Sequence, residues 1–418
     1  MTEPAPDEPG VWSAFSIARL PRILFGVGRS RELASVVKSF GSRALVVVRG
    51  PDFAHSPGWA RLRGELESAG VDVKVEAVAD EPSPALVDEI VARIRGGGGS
   101  VDVVVGMGGG SVLDTAKAVA GLLIAGNSVM DHLEGIGPGL PYRGPAVPFV
   151  AVPTTAGTGS EATRNAVLSL RGPGGFKRSF RDDALVAQVA ILDPDLLASC
   201  PPELIASNGM DALTQLLESY LSTRANPLTD ALALSGLAAA RDGLAAWYEE
   251  AVAGRGGGGA RSVAAAARER MAYAALCSGI CLAQAGLGAV HGLASPLGAQ
   301  FPIPHGVACG ATLVATTRIN LVALEQRAPR STALVRYGEA GRVLAGRGAA
   351  TTDGDARSSL VALLDDWRAR LAVPRLSAFG ITEADIPAIV ADSRGSSMKT
   401  NPIVLSDEEV ASILRASL

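Results

Sequence analysis

Four side chains in the second half of the chain are of the types that hold a catalytic metal. Asp211 and Gln215 stand at i and i+4 in Gly209-Met210-Asp211-Ala212-Leu213-Thr214-Gln215, so a helix there presents both on one face. His291 and His305 lie in apolar, Gly-rich neighbourhoods, Ala289-Val290-His291-Gly292 and Pro302-Ile303-Pro304-His305-Gly306. One histidine in such a place reads as a satisfied core residue; two beside a buried-looking acid read as ligands. One carboxylate oxygen and two imidazoles, with open positions, suit a single divalent ion, Fe2+ or Zn2+, in a catalytic site. A structural zinc site would be closed by four protein ligands, often thiolates, and no such set is evident. Cys200, Cys277, Cys281 and Cys309 form no CxxC pair and read as buried core thiols. His55 and His132 sit among Pro, Gly and acidic residues and read as surface.

A second group of residues suits a phosphorylated ligand. The apolar run at 101–105 passes through Gly108-Gly109-Gly110-Ser111 into a helical pattern at 112–123. Glycines let a backbone approach a phosphate, and free N–H groups at a helix start favour the anion. The spacing is not GxGxxG, and a tight strand-to-helix turn is the alternative. Asp114 and Lys117 complete GGGSxxDxAK, and a hydroxyl-rich loop follows at Pro153-Thr154-Thr155-Ala156-Gly157-Thr158-Gly159-Ser160-Glu161. Small donors of that kind suit pyrophosphate, ribose or a carboxamide.

These residues need a scaffold, and the patterning predicts one. Strands are expected at 23–28, 44–48, 71–75 and 101–105, with helices at 31–40, 59–69 and 84–95 between them. Strand and helix alternating in this way predict βαβ units and a parallel sheet. Beyond Asp193-Pro194 the patterns become almost all helical, with Gly256 to Gly259 a loop between helices. The expected organisation is a disordered N-terminus (1–12), an α/β dinucleotide-binding domain (13–196) and an all-α metal-binding and substrate domain (197–418).

Composition excludes several classes. The chain has 418 residues, 48% of them hydrophobic, enough for two cores, and its net charge of −4 argues against nucleic acid or an anionic membrane as partner. The start is acidic and Pro-rich rather than a signal peptide, and the apolar stretches look too interrupted to span a bilayer, which points to the cytoplasm.

GGGSVLDTAK, PTTAGTGSE, GMDALTQLLESY, GLGAVHGLASPLG and FPIPHG together resemble the iron-containing (group III) alcohol dehydrogenases, which have the dehydroquinate-synthase-like fold. The resemblance runs from Phe25 to the C-terminus. It implies that Gly108, Gly109, Gly110, Ser111 and Asp114 hold the pyrophosphate of NAD(P)(H), that Thr154, Thr155 and Thr158 line its ribose and nicotinamide, and that Lys177 lies on the cofactor. It places Asp211, His291 and His305 on metal-ligand positions. Two departures stand out. The family usually has His where Gln215 stands, so Gln215 is a weak fourth ligand or the site has three. Ser295 replaces a further His often thought to help proton transfer, leaving water, the ribose hydroxyl or Ser295 itself as the relay.

The implied activity is metal-assisted hydride transfer between NAD(P)(H) and a small alcohol, aldehyde or ketone, in a homodimer. A cyclase or lyase like dehydroquinate synthase and a nucleotide-binding protein with a decayed metal site are the alternatives. The expected strand at 44–48 ends in Arg49-Gly50, where NAD-using relatives often carry Asp. An Arg can pair with a 2′-phosphate, which favours NADPH, unless Arg49 points into solvent and selects nothing.

Overall fold

The computed structural model describes residues 14–50, 53, 55–79, 81–172, 175–254, 263–346 and 352–418. The first half holds strands β1 (Arg22–Phe25), β2 (Arg43–Arg49), β3 (Asp72–Val78), β4 (Val103–Gly108), β5 (Phe149–Pro153), β6 (Asn165–Leu170), β7 (Phe176–Arg181) and β8 (Val189–Leu192). Between them run helices α1 (Leu33–Lys38), α2 (Pro57–Ser68), α3 (Pro84–Gly96) and α4 (Gly110–Ala125). Continuous apolar runs such as Ala44-Leu45-Val46-Val47-Val48 suit strands covered on both faces, and all five of these residues are buried. Alternate residues feed two cores: Leu45, Val47, Val104 and Phe149 pack with α3 and α4, while Val46, Val48, Val105 and Val150 pack with α1 and α2.

The strand order is β1-β8-β5-β4-β2-β3, and every pairing in this sheet is parallel. The chain winds outward from β2 to β3, then from β4 through β5 to β8. Its direction therefore reverses between β2 and β4, and the crevice beyond the carboxyl ends of those strands is where doubly wound sheets bind ligands. Arg49 closes β2 and Gly108 closes β4, level with Pro153 at the end of β5. The two loops expected to hold a nucleotide thus leave the sheet side by side.

The helices that follow are α5 (Pro202–Leu221), α6 (Pro227–Val252), α7 (Val263–Ala285), α8 (Ala289–Gln300), α9 (His305–Arg327), α10 (Thr332–Ala345), α11 (Asp353–Arg370), α12 (Ile386–Asp392) and α13 (Asp407–Ser417). They share one apolar core in which α5 and α9 are central. Three features differ from the sequence expectations. The helix expected at 31–40 is split into a 3-10 turn, Arg29–Glu32, and the short α1. Strands β5 and β8 of the main sheet, and the antiparallel hairpin β6–β7 outside it, have no counterpart in the periodicity reading. Helix α9 is long and apolar enough to cross a bilayer, but 83% of its most apolar window is buried inside the fold, as in a core helix. The expectations for residues 1–12 and for Gly256 to Gly259 lie outside the described residues.

Candidate active site

Helix α5 carries Asp211, Gln215 and Glu218 on one face, at i, i+4 and i+7. Opposite it, His291 lies in the first turn of α8 and His305 opens α9. His291 Nε2 is 3.2 Å from Asp211 Oδ1, and His305 Nε2 is 3.8 Å from the same oxygen. Cys309, one turn after His305, places its Sγ 3.7 Å from His291 Nε2. The other nitrogen of His291, Nδ1, meets Glu218 Oε2 at 2.6 Å, while Glu218 Oε1 accepts the Val290 N–H at 2.7 Å. A carboxylate on Nδ1 fixes the ring and leaves Nε2 as the electron-pair donor, the arrangement that orients metal-binding histidines. Gly288 makes room for it, since a Cβ there would stand 2.7 Å from Glu218 Oε1.

Charge in an apolar helical core is costly, and an all-apolar set would pack there with less penalty. Burial pushes the Asp211 carboxyl up, but His305 and His291 outweigh it and hold it below the usual carboxylate range. Burial, then the Lys177 charge, push the His305 imidazole down to about 4, which leaves it neutral with a free lone pair. Burial opposes the charged form of His291 too, but Cys309, Asp211 and Glu218 together hold its pKa well above the ordinary value. A cation between Asp211 Oδ1 and the two Nε2 atoms satisfies all three donors at once. The residues therefore fit a divalent metal.

The cluster opens onto a cleft of about 610 Å³ between sheet and helices, within the range of small-molecule sites. Asp211, Gln215, His291, Ser295 and His305 line one side with Lys177 beside them, and Arg49, Gly109, Gly110, Ser111, Asp114, Thr155 and Thr158 line the other. Helix α4 begins at Gly110 with no side-chain cap; the Val112 N–H donates to the Gly109 carbonyl at 3.0 Å, and the Gly110 and Ser111 N–H groups remain for an anion in the cleft. Lys117, fully buried in α4, spans the two loops: Nζ donates to Ser160 O (2.8 Å), Ser160 Oγ (3.0 Å), Thr163 Oγ1 (3.1 Å) and Asn165 O (2.6 Å). Ser160 Oγ in turn donates to Asp114 Oδ1 at 2.6 Å. Lys177, on β7, pairs with Glu81 at 3.3 Å.

Comparison with known proteins shows the family. The family described as iron-containing alcohol dehydrogenase matches residues 21–194, and its C-terminal domain, the Fe-containing alcohol dehydrogenase family, C-terminal, matches residues 205–418. The chain belongs to the iron-containing alcohol dehydrogenase family. It is 31% identical over 410 residues to long-chain-alcohol dehydrogenase 1 of Geobacillus thermodenitrificans, covering 96% of this chain and 97% of that one. Among solved structures, a 1,3-propanediol oxidoreductase superposes with a TM-score of 0.83 at 27% identity, over 97% of this chain and 100% of that one. Sulfoacetaldehyde reductase from Bifidobacterium kashiwanohense, in complex with NAD+, gives 0.80 at 28% identity, over 97% and 99% of the two chains. The protein is an oxidoreductase of the alcohol dehydrogenase and aldehyde reductase type. The cyclase and decayed-site alternatives are not favoured.

Within this family member, most of the residues singled out in the sequence share the one cleft. Gly108 and Thr154 are not on its wall. A Cβ on Gly108 would lie 2.6 Å from Val112, so that glycine serves strand–helix packing. Cβ atoms on Gly109 and Gly110 would lie 3.2 Å from Thr155 and 2.7 Å from Thr158, so these glycines bring the two loops together as well as admitting a ligand. Gln215 faces the cleft, but its Oε1 accepts from Ser278 Oγ at 2.7 Å. Ser295 Oγ lies 3.5 Å from Lys177 O. His55 is exposed, whereas His132 is half-buried and stacks on Phe180, a correction to its reading as surface. Glu218 and Cys309 were missed as site residues. Both stood at helical spacing from recognised ones, three residues after Gln215 and four after His305.

Proposed function

We propose that this protein reduces small aldehydes or ketones and oxidises the matching alcohols with NAD(P)(H), using one divalent metal, Fe2+ or Zn2+. The observation that carries this reading is the convergence of Asp211, His291 and His305 on one point at the cleft wall, facing the glycine and threonine loops. Bound there, the metal supplies Lewis acidity to the substrate oxygen and the nicotinamide supplies or takes the hydride. Asp211, His291 and His305 hold the metal, and Glu218 keeps His291 in its ligating orientation. Gln215 faces the same opening and joins only by giving up Ser278.

Gly109, Gly110, Ser111 and Asp114 form the pyrophosphate cradle, with Gly108 shaping it from behind. Thr155 and Thr158 face the ribose and nicotinamide, Thr154 supports their loop, and Lys177 reaches the cofactor from β7. Ser295, on the cleft wall, is available for proton transfer beside water and the ribose hydroxyl. Arg49, exposed on the rim at the switch between β2 and β4, suits a 2′-phosphate and hence NADPH. The bound NAD+ of the sulfoacetaldehyde reductase shows that a similar fold also takes the unphosphorylated form. The protein works in the cytoplasm as a homodimer.

The test is substitution of the ligands. Asp211→Ala, His291→Ala and His305→Ala should each remove aldehyde-dependent NAD(P)H oxidation, with a circular dichroism spectrum like that of the parent. Retained activity in all three sinks the reading.

A further inference from the structure

We propose that Cys309 is a ligand of the metal, completing an Asp211, His291, His305, Cys309 set from the closed side of the site; this rests on the metal-assisted reading above. The four ligand atoms lie within 4.8 Å of one another. His305 is the first residue of α9 and Cys309 is four residues on, so the two side chains leave the helix on one face. Cys309 Sγ is 3.7 Å from His291 Nε2 and 3.9 Å from His305 Nε2. A tetrahedral zinc ion with bonds of about 2.0–2.1 Å to N and O and about 2.3 Å to S has N···O edges of about 3.4 Å and N···S edges of about 3.6 Å. The observed N···O edges of 3.2 and 3.8 Å bracket the first value, and the N···S edges of 3.7 and 3.9 Å lie just above the second.

Cys309 supplies, from the other side, the fourth ligand that Gln215 does not. The Gln215 amide oxygen is taken by Ser278, and Gln215 stands on the cleft wall where a substrate must enter. Cys309 is fully buried and is absent from that wall, so it completes the set without blocking the approach. The other two buried thiols make ordinary core contacts: Cys281 packs against the Thr229 carbonyl at 3.4 Å, and Cys277 hydrogen-bonds with Tyr273. Cys309 instead points at two imidazole nitrogens. On binding, its S–H proton passes to water as the sulfur–metal bond forms, so Asp211 and Cys309 together neutralise a divalent ion. A thiolate in place of an imidazole shifts the preference from iron toward zinc.

Cobalt(II) exposes a sulfur ligand directly through a thiolate-to-cobalt charge-transfer band in the near ultraviolet. Wild-type protein loaded with cobalt should show this band, and Cys309→Ala, which keeps Cys200, Cys277 and Cys281, should lose it. Zinc affinity measured by chelator competition should fall roughly 100-fold or more in Cys309→Ala, more than the loss of an outer partner causes. Stoichiometric cobalt binding by wild type without the band, or unchanged zinc affinity in Cys309→Ala, overturns the assignment and leaves the metal-assisted reading in place. Wild-type protein that binds neither metal overturns both.

Discussion

At the scale of single residues, the site depends on groups that never touch a substrate. Glu218 holds His291 through Nδ1 and caps the start of α8 through the Val290 N–H. Glu218→Gln keeps the shape but replaces a charge-assisted bond with a neutral one, so metal affinity should fall about 10–100-fold while the fold persists. Chelator competition measures this, and an unchanged affinity would show that Glu218 only caps the helix. Arg49 gives a second residue-scale prediction. Arg49→Asp should shift the ratio of kcat/KM for NADPH over NADH at least about tenfold toward NADH, since an acid there accepts from ribose hydroxyls and repels a 2′-phosphate. An unmoved ratio removes Arg49 from cofactor choice. Asp211, His291 and His305 were legible in the sequence because two histidines in apolar, Gly-rich segments have few other uses. Glu218 and Cys309 were not, because a carboxylate or thiol inside a helical run looks like any other until its neighbours across the core are known.

At the scale of elements, the hydroxyl-rich loop after β5 joins the sheet to the helices. Gly159 sits at φ 60° and touches Gly279 of α7 so closely that a Cβ on Gly279 would be 2.2 Å from Gly159 O. Gly157 packs in the same way on Asn208 of α5, and Gly306 on Ser207. Gly279→Ala should therefore displace the loop that presents Thr155 and Thr158, raising KM for the nicotinamide at least about tenfold and lowering Tm, with metal content unchanged. A variant with wild-type KM would mean the loop adjusts freely. The strands β1 to β4 could be read from their apolar runs, although β3 and β4 each extend three residues past the expected end and β1 stops three residues short of it. The β6–β7 hairpin could not, because its burial alternates irregularly and only tertiary contact defines it.

At the scale of the whole molecule, the parallel sheet contributes the glycine and threonine loops of the cleft, and the helical bundle contributes Asp211, His291 and His305. Neither half has a complete site alone. The change of texture near Asp193-Pro194 made the two halves legible in the sequence, but not the fact that Gly159 on Gly279 and Gly157 on Asn208 clasp them together. That clasp is backbone-to-backbone packing at glycines, which leaves no hydrophobic pattern to read. The central claim, hydride transfer that depends on a metal held by Asp211, His291 and His305, is tested most directly by one measurement. Purified protein is stripped with a chelator, its metal content is quantified, and the loss of NAD(P)H absorbance with a panel of small aldehydes is followed before and after adding Zn2+ or Fe2+. The account predicts no turnover by the stripped protein and recovery in proportion to metal bound, up to one ion per chain. Full turnover by metal-free protein would contradict it.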